Sequence, residues 1–340
     1  MILPALERRV AAAVAEVSDD RALRRRVIEA LRSEVGFEAF VWLLIDPLTG
    51  VGTSPLAEVP SLQRLPELVR LRYQAQPRWT ALDHGRPRTW SAEDDDPWVR
   101  VLAVEGVRDV ATTALGDRFG LWGVLDLWRT GASFTEGELR AVAGVADVIT
   151  SALRRVQAEA LARVPAASPG PKTAGTAVMV LGPDLVPRTQ TAETERYLRS
   201  LLPTEEGRRP VPAAAYNVGA QLLAVEAGLD DRPPVARAHL AEGRWLTFQA
   251  ARLGSAPEGD IAVTISPIEP RERLRLFARA HGLTERETDV LECLADGADT
   301  RAVAARLFVS EFTVQDHLKA VFDKTGVHTR RILLARARGN

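Results

Sequence analysis

Lysine is nearly missing from this chain. Its 44 cationic residues comprise 41 arginines and three lysines, Lys172, Lys319 and Lys324. Chemistry that needs a lysine in the first half is thereby excluded, and two of the three fall in one short stretch near the C-terminus. Cysteine is scarcer still. Cys293 stands alone, so no intramolecular disulfide and no cysteine-based zinc cluster can be built. Long hydrophobic runs are lacking as well. Residues 1–20 are interrupted by Glu7, Arg8, Arg9 and Glu16, which fits an amphipathic helix and not a signal peptide. The most apolar stretch, 211–229, contains Asn217, Gln221 and Glu226 and cannot span a bilayer. Net charge is only −1, which argues against a strongly basic nucleic-acid carrier but not against a local basic face. These absences lead to an expected cytoplasmic address and no membrane partner.

What is present suits real cores: 340 residues, 46% of them hydrophobic, imply two or three domains. Residues 164–176 are dense in Pro and Gly without helical or strand period, which marks a linker. A weaker break lies at Ser266–Pro270, before the arginine-rich 271–279. The expected division is therefore 1–163, a linker 164–176, then 177–268 and 271–340.

The first segment opens with helical patterns at about 3–17 and 20–35, followed by the apolar strand Phe40–Ile45. Asp109–Leu115, the turn Gly116–Gly120 and Leu121–Arg129 read as strand, turn, strand. Thr135 and Glu138 form a capping box, and the helix behind it runs to about Arg163. Its apolar seam Val142, Ala146, Ile149, Leu153, Val156, Ala160 is heptad-like. The first half suits a helix lying across its own sheet; the second half suits either more of the same or a partner helix in a dimer. The middle segment reads as a strand pair over 177–190, helices at 192–202 and 211–228, a hairpin Val235–Leu253 turning at Glu242-Gly243, and a strand Ile261–Ile265.

From Gly282 the pattern changes. Thr284 and Glu287 form a second capping box, opening a helix that Gly297 ends. Asp299 or Thr300 caps a short second helix carrying Val303, Ala304 and Leu307. After the turn Phe308-Val309-Ser310, Ser310 caps a third helix with Val314, Leu318 and Val321 on one face. Gly326 stops it, and 332–337 form a short fourth. Two short helices joined by a tight turn and flanked by supports are a helix-turn-helix signature.

The runs Leu283–Glu287, Val303–Ser310, Thr313–Lys319 and Lys324–Arg330 resemble, in order and spacing, the LuxR-type DNA-binding domain over about 55 residues. One departure is Arg301-Ala302, where the family commonly has a basic residue and then Glu. With Val314, Leu318 and Val321 inward, Gln315, Asp316 and Lys319 face outward. The resemblance implies that these three enter the major groove. Lysine can donate to guanine or phosphate, glutamine can pair with adenine, and Asp316 can accept from cytosine or disfavour wrong sites. Ser310, Thr313, Lys324, Arg330 and Arg331 are the expected phosphate contacts, and His317 is expected to pack on the support side. Charge divides the same way. Residues 284–299 hold one cation against six carboxylates, net −5; residues 300–340 hold eight against three, net +5. A charge of +5 is modest, so a homodimer on a two-half-site double-stranded DNA operator is expected.

The 37–163 pattern is similar to a GAF domain and 175–268 to a PAS domain, families that bind small molecules or mediate dimers. Six of the seven tryptophans lie in the GAF-like part. Core packing is the commoner reason for them; the alternative is an effector pocket lined by Trp42, Trp79, Trp90, Trp98 and Trp122. Rival readings fare worse. A phospho-receiver needs a lysine beside its aspartate, and none occurs before Lys172. A sigma factor needs a polymerase-binding helical region where strands and linker stand. No phosphate loop, G-x-S-x-G, H-E-x-x-H or clustered metal spacing supports an enzyme. The expected protein is an α+β multidomain chain: GAF-like and PAS-like α/β sandwiches, then an all-α four-helix LuxR-type helix-turn-helix domain. Its expected function is a transcriptional regulator without cofactor, admitting RNA polymerase and a small-molecule effector as partners. A signalling scaffold that does not bind DNA is the alternative.

Overall fold

The computed structural model describes residues 3–163, 177–201, 212–240, 244–254, 256 and 258–339; the expected linker at 164–176 and turn at Glu242-Gly243 lie outside them. Two helices come first, α1 (Leu3–Val14) and α2 (Asp20–Arg32). Asp19 starts the second by accepting from the Ala22 N–H at 2.7 Å. Next come β1 (Ala39–Ile45), β2 (Gly52–Glu58), α3 (Leu65–Gln74), a 3-10 turn at Trp79–Ala81, β3 (Arg88–Ser91) and α4 (Pro97–Val104). Strands β4 (Asp109–Asp117) and β5 (Gly120–Arg129) then lead into the long helix α5 (Glu136–Ala162). The five strands form one antiparallel sheet, ordered β2-β1-β5-β4-β3. Strand alternation distributes its side chains. Phe40, Trp42 and Leu44 join a core with α1, α2 and α5, while Ala39 and Val41 join one with α3 and α4. The Thr135–Glu138 capping box is present. Burial opposes ionisation there, but hydrogen bonds from Arg129 and Thr135 hold the Glu138 carboxyl down at about 2.

A second antiparallel sheet follows from β6 (Ala177–Leu181), β7 (Pro187–Gln190), β8 (Val235–His239), β9 (Trp245–Arg252) and β10 (Ile261–Pro267). Its order is β7-β6-β10-β9-β8. Counted from its own first strand, each sheet therefore runs 2-1-5-4-3. Helices α6 (Ala192–Leu201) and α7 (Ala213–Glu226) lie between its outer strands in sequence. Helix α7 is buried almost all round from Ala213 to Gln221, because it packs on α3 and β2 on one side and on β9 on the other. Its small residues allow that close approach, and its amide side chains, Asn217 and Gln221, are hydrogen-bonded within the protein. Gln221 accepts from Arg78 at 3.0 Å and donates to the Arg232 carbonyl at 2.9 Å.

The C-terminal region is entirely helical: α8 (Pro270–Ala280), α9 (Glu285–Ala295), α10 (Thr300–Leu307), α11 (Glu311–Thr325) and α12 (Arg330–Arg338). The arginine-rich 271–279 stretch is thus a helix, and it buries Arg273, Leu274, Leu276 and Phe277. Those residues, with Leu333 and Ala337 of α12, share one core with the second half of α5. The apolar seam of α5 is consequently covered within the chain. Val156 and Ala160, which on sequence could have met a partner helix, are buried against elements of their own protein. None of the described helices is long and apolar enough to cross a membrane.

Polar ties hold the three parts together. Asp46, in the turn after β1, is fully buried; it accepts from the Arg237 N–H at 3.0 Å and from the Arg237 guanidinium at 2.7 Å. Burial pushes this carboxyl up, against the neighbouring positive charge. The other arm of the Arg237 fork meets Glu272 of α8, which also accepts from Thr247 at 3.2 Å. Arg273 donates to the Leu161 carbonyl at 2.7 Å, and Arg279 to the Phe119 carbonyl at 2.9 Å.

Two predictions follow from these buried groups. Arg237→Met strands Asp46 without its cation and should cost about 3–5 kcal/mol in chemical denaturation, with Asp46→Asn in the same chain recovering part of the loss. His239 and His281 are lowered by burial from 6.5 to about 4. The unfolded chain protonates both below its higher value, so their stability contribution is complete above that value and drains away as pH falls towards about 4. Denaturation midpoints should drop between about pH 7 and about pH 4.5, and His281→Gln should flatten that slope.

Candidate nucleic-acid interface and effector cavity

The C-terminal helices are positioned by their caps. Thr284 accepts from the Glu287 N–H, and Glu287 accepts from the Thr284 N–H at 2.7 Å, completing the second capping box. Asp299 caps α10 through the Ala302 N–H at 2.8 Å. Phe308 ends that helix in the left-handed conformation (φ 55°), an uncommon choice for a bulky side chain, and so sets the sharp turn into α11. Ser310 caps α11, accepting from the Thr313 N–H at 3.0 Å. Gly326 closes it at φ 64°, where a residue lacking Cβ carries no steric cost.

Along α11, Val314, Leu318 and Val321 are buried against α9 and α10, while Gln315, Asp316 and Lys319 are exposed. Phe312 is exposed as well, at 75%, and stands three, four and seven residues before those three, on the same face. Sequence reasoning passed over it. Its signal was an apolar residue at an outward position of a helix whose inward positions were already filled. Phe308, 94% exposed, lies at the turn beside it. Gln315 reaches the Thr300 hydroxyl at 3.5 Å, and His317 is half-buried.

The residues expected on phosphate divide. Ser310, Thr313 and Arg331 lie at the starts of α11 and α12, Ser310 and Arg331 exposed. Lys324 instead closes on Glu287, at 2.6 and 2.8 Å from its two carboxylate oxygens. Burial opposes ionisation of Glu287, yet the Lys324 and Thr284 hydrogen bonds hold its carboxyl below the ordinary range. Arg330 donates to the Ala298 carbonyl. Part of the sequence-level charge division is thus internal pairing, as is the double contact of Asp296 with Arg271 and Arg306. Lys324→Met should leave Glu287 buried without its partner and cost about 1–3 kcal/mol, measured by urea denaturation of the full chain.

A cavity of about 340 Å³ lies between the first sheet, α3 and α7. Trp79, Trp98 and Trp128 line it. Trp42 and Trp122 do not; strand alternation sends them to the α5 side of the sheet, where they pack in that core. Trp90 stands behind Trp98, edge to face at 5.8 Å. Polar groups in the lining are few: Asp126, Arg72, Asn217, Ser61 and the tyrosines 73 and 216, with the exposed Arg21 at the rim. No cluster of three or more His, Cys, Asp or Glu placed to hold a metal occurs among the described residues.

Residues 281–337 match the family of bacterial regulatory proteins called the luxR family. The C-terminal region is a LuxR/GerE-type helix-turn-helix domain. Over 63 residues the chain is 33% identical to the transcriptional regulatory protein DesR of Bacillus subtilis, covering 18% of this chain and 32% of that protein. It is 44% identical over 48 residues to a nitrate/nitrite response regulator protein homolog of Haemophilus influenzae, covering 14% and 23%. The spore germination protein GerE of Bacillus subtilis is 42% identical over 48 residues, 14% of this chain and 65% of that protein. The chain thus spans less than two thirds of the length of each. Among solved structures, the bacteriophytochrome RpBphP3 from R. palustris is similar over 78% of this chain and 62% of its own, at 14% identity and a TM-score of 0.31. The chromophore-binding domain of a Stigmatella aurantiaca bacteriophytochrome is similar over 44% and 59%, at 16% identity and a TM-score of 0.29.

Proposed function

We propose that the protein is a sequence-specific DNA-binding transcriptional regulator, controlled by a signal received in its two sheet-containing segments. The observation that carries this reading is α11. It follows a short helix and a tight turn, buries one face on its supports, and presents Phe312, Gln315, Asp316 and Lys319 together on the other. In this reading Gln315 and Lys319 meet base edges, Asp316 accepts from cytosine or penalises other bases, and Phe312 meets a thymine methyl. Ser310 and Thr313 stand where backbone N–H groups at a helix start attract phosphate, joined by Arg331. Lys324 and Arg330 reach phosphate only at the expense of the internal partners they hold.

Segments 1–163 and 177–268 serve as GAF-like and PAS-like sensor modules, supported by two five-stranded sheets of the same order and by the cavity of the first. A homodimer doubles the modest positive charge over two half-sites, and RNA polymerase is the partner through which such a regulator acts. The chain holds no cofactor and performs no catalysis in this reading.

Because α8 and α12 complete a core with α5, the full chain is the object to test. DNA fragments recovered by footprinting genomic DNA with the full chain supply the operator. Lys319→Ala should then weaken operator binding by about 1–3 kcal/mol at fixed salt. An unchanged isotherm removes Lys319 from the interface, and failure of the native chain to protect any genomic fragment favours the scaffold reading.

A further inference from the structure

The cavity of the first segment has a chemistry that narrows what it can hold, and this inference rests on the signal-receiving role just proposed. Its volume of about 340 Å³ lies within the range of small-molecule sites. Strands β1, β2 and β5 form one wall, with Val41, Leu43 and Val124; α3 forms the other, with Leu65 and Leu68. Trp79 and Trp98 close it at the side. Such walls favour a flat aromatic body, which rings in the lining can meet edge to face or offset.

The floor is polar and already balanced in charge. Arg72 pairs with Asp126 through two contacts of 3.3 Å, and Asp126 also accepts from the Thr112 hydroxyl at 2.6 Å. Both members of the pair are more than nine-tenths buried. A further charge buried on that floor would therefore enter a desolvated site whose cation and carboxylate already face each other, the remaining lining cation, Arg21, standing at the exposed rim. The guanidinium is held in place among aromatic rings, 4.5 Å from the centre of Trp98, 5.2 Å from Trp79 and 5.7 Å from Trp90. One of its nitrogens, Nη1, is buried and has no acceptor. A buried donor without an acceptor is rare in folded proteins and is satisfied when a ligand supplies one.

The remaining wall comes from another part of the chain. Ala213, Tyr216 and Asn217 of α7 line the cavity. Asn217 donates to the Ala213 carbonyl at 2.9 Å, which fixes its side chain within that wall. An occupant is thus enclosed between the first sheet and the helix that carries the second.

We propose that this cavity binds an uncharged aromatic molecule bearing a carbonyl oxygen, with Arg72 as the donor to that oxygen and α7 as the enclosing wall. Binding stiffens the contact between the two sheet-containing segments, because the ligand touches both.

Three bicyclic probes of similar size test it on the full chain by calorimetry without DNA: coumarin (uncharged, with a carbonyl), naphthalene (no acceptor) and 1-naphthoate (charged). Coumarin should bind at least tenfold more tightly than either of the others. Ala213→Phe, which fills the cavity from α7, should abolish binding of all three. Arg72→Met with Asp126→Leu removes both charges together, so the fold loses no counter-ion; it should keep naphthalene binding and erase the coumarin preference. Equal binding of coumarin and naphthalene to the native chain overturns the role of Arg72. Tighter binding of 1-naphthoate overturns the uncharged class, and binding that survives Ala213→Phe overturns the site. Probe binding and operator protection are separate readouts. A chain that protects DNA but binds no probe overturns this inference alone, whereas one that binds coumarin but protects no DNA overturns the regulator reading and leaves the cavity's chemistry standing.

Discussion

Arg237 stands where the three parts of the chain meet, and their arrangement depends on it. One arm of its guanidinium holds Asp46 of the first segment, and another holds Glu272 of α8; its own backbone lies in β8 of the second sheet. A planar fork can serve two carboxylates from different directions at once, which a lysine ammonium on a flexible stem does far less selectively. The position is costly to leave half-made, since Asp46 has no exposure to water. The same turn carries Thr49, which donates to the Val235 carbonyl at 2.7 Å, so side chain and backbone fix the register together.

From that node the contacts run in both directions through rigid elements. Strand β1 presents Val41 and Leu43 to the cavity and ends at Ile45, next to Asp46. Helix α8 begins at Pro270, two residues before Glu272, and leads through Gly282 to the first helix of the helix-turn-helix domain. Cavity, node and helix-turn-helix domain are thus consecutive in packing although far apart in sequence. The apolar faces of α8 and α12 are occupied by α5. The outward face of α11 stays open to solvent and carries the exposed Phe312, with the exposed Phe308 in the turn before it.

Features written within a few residues were legible from the sequence. Both capping boxes, the helix-turn-helix order and the inward triad Val314, Leu318 and Val321 depend on spacings of three and four, and the structure has them. The tryptophans show where such reading stops. Trp42 and Trp79 are alike as residues, but the parity of β1 sends one to the α5 core and a 3-10 turn sends the other to the cavity. Parity is readable only once the direction of the strand's core is known. The α5 seam was readable as apolar, yet what covers it lies more than a hundred residues away, in α8 and α12. The pairs Asp46–Arg237, 191 residues apart, and Glu287–Lys324, 37 apart, were hidden too, since a charge count cannot tell an internal partner from a surface one.

Lysine scarcity acquires a structural sense in this light. Many arginines here donate to backbone carbonyls that would otherwise be left open between elements. Arg24 reaches the Trp42 and Ser54 carbonyls at 3.0 and 2.9 Å, tying α2 across β1 and β2. Arg155 reaches Val14 and Val17 at 2.6 and 3.1 Å, tying α5 to the end of α1. Arg273 does the same between α8 and α5. Each uses a flat, multi-donor head to satisfy acceptors that a single ammonium would contact less directionally. The two lysines near the C-terminus serve as point charges instead. Lys324 neutralises one buried carboxylate of a capping box, and Lys319 is left exposed on the outward face of α11. Arginine therefore does the directional joining between elements, and Lys319 remains as a compact, strongly hydrated cation on an otherwise open helix face.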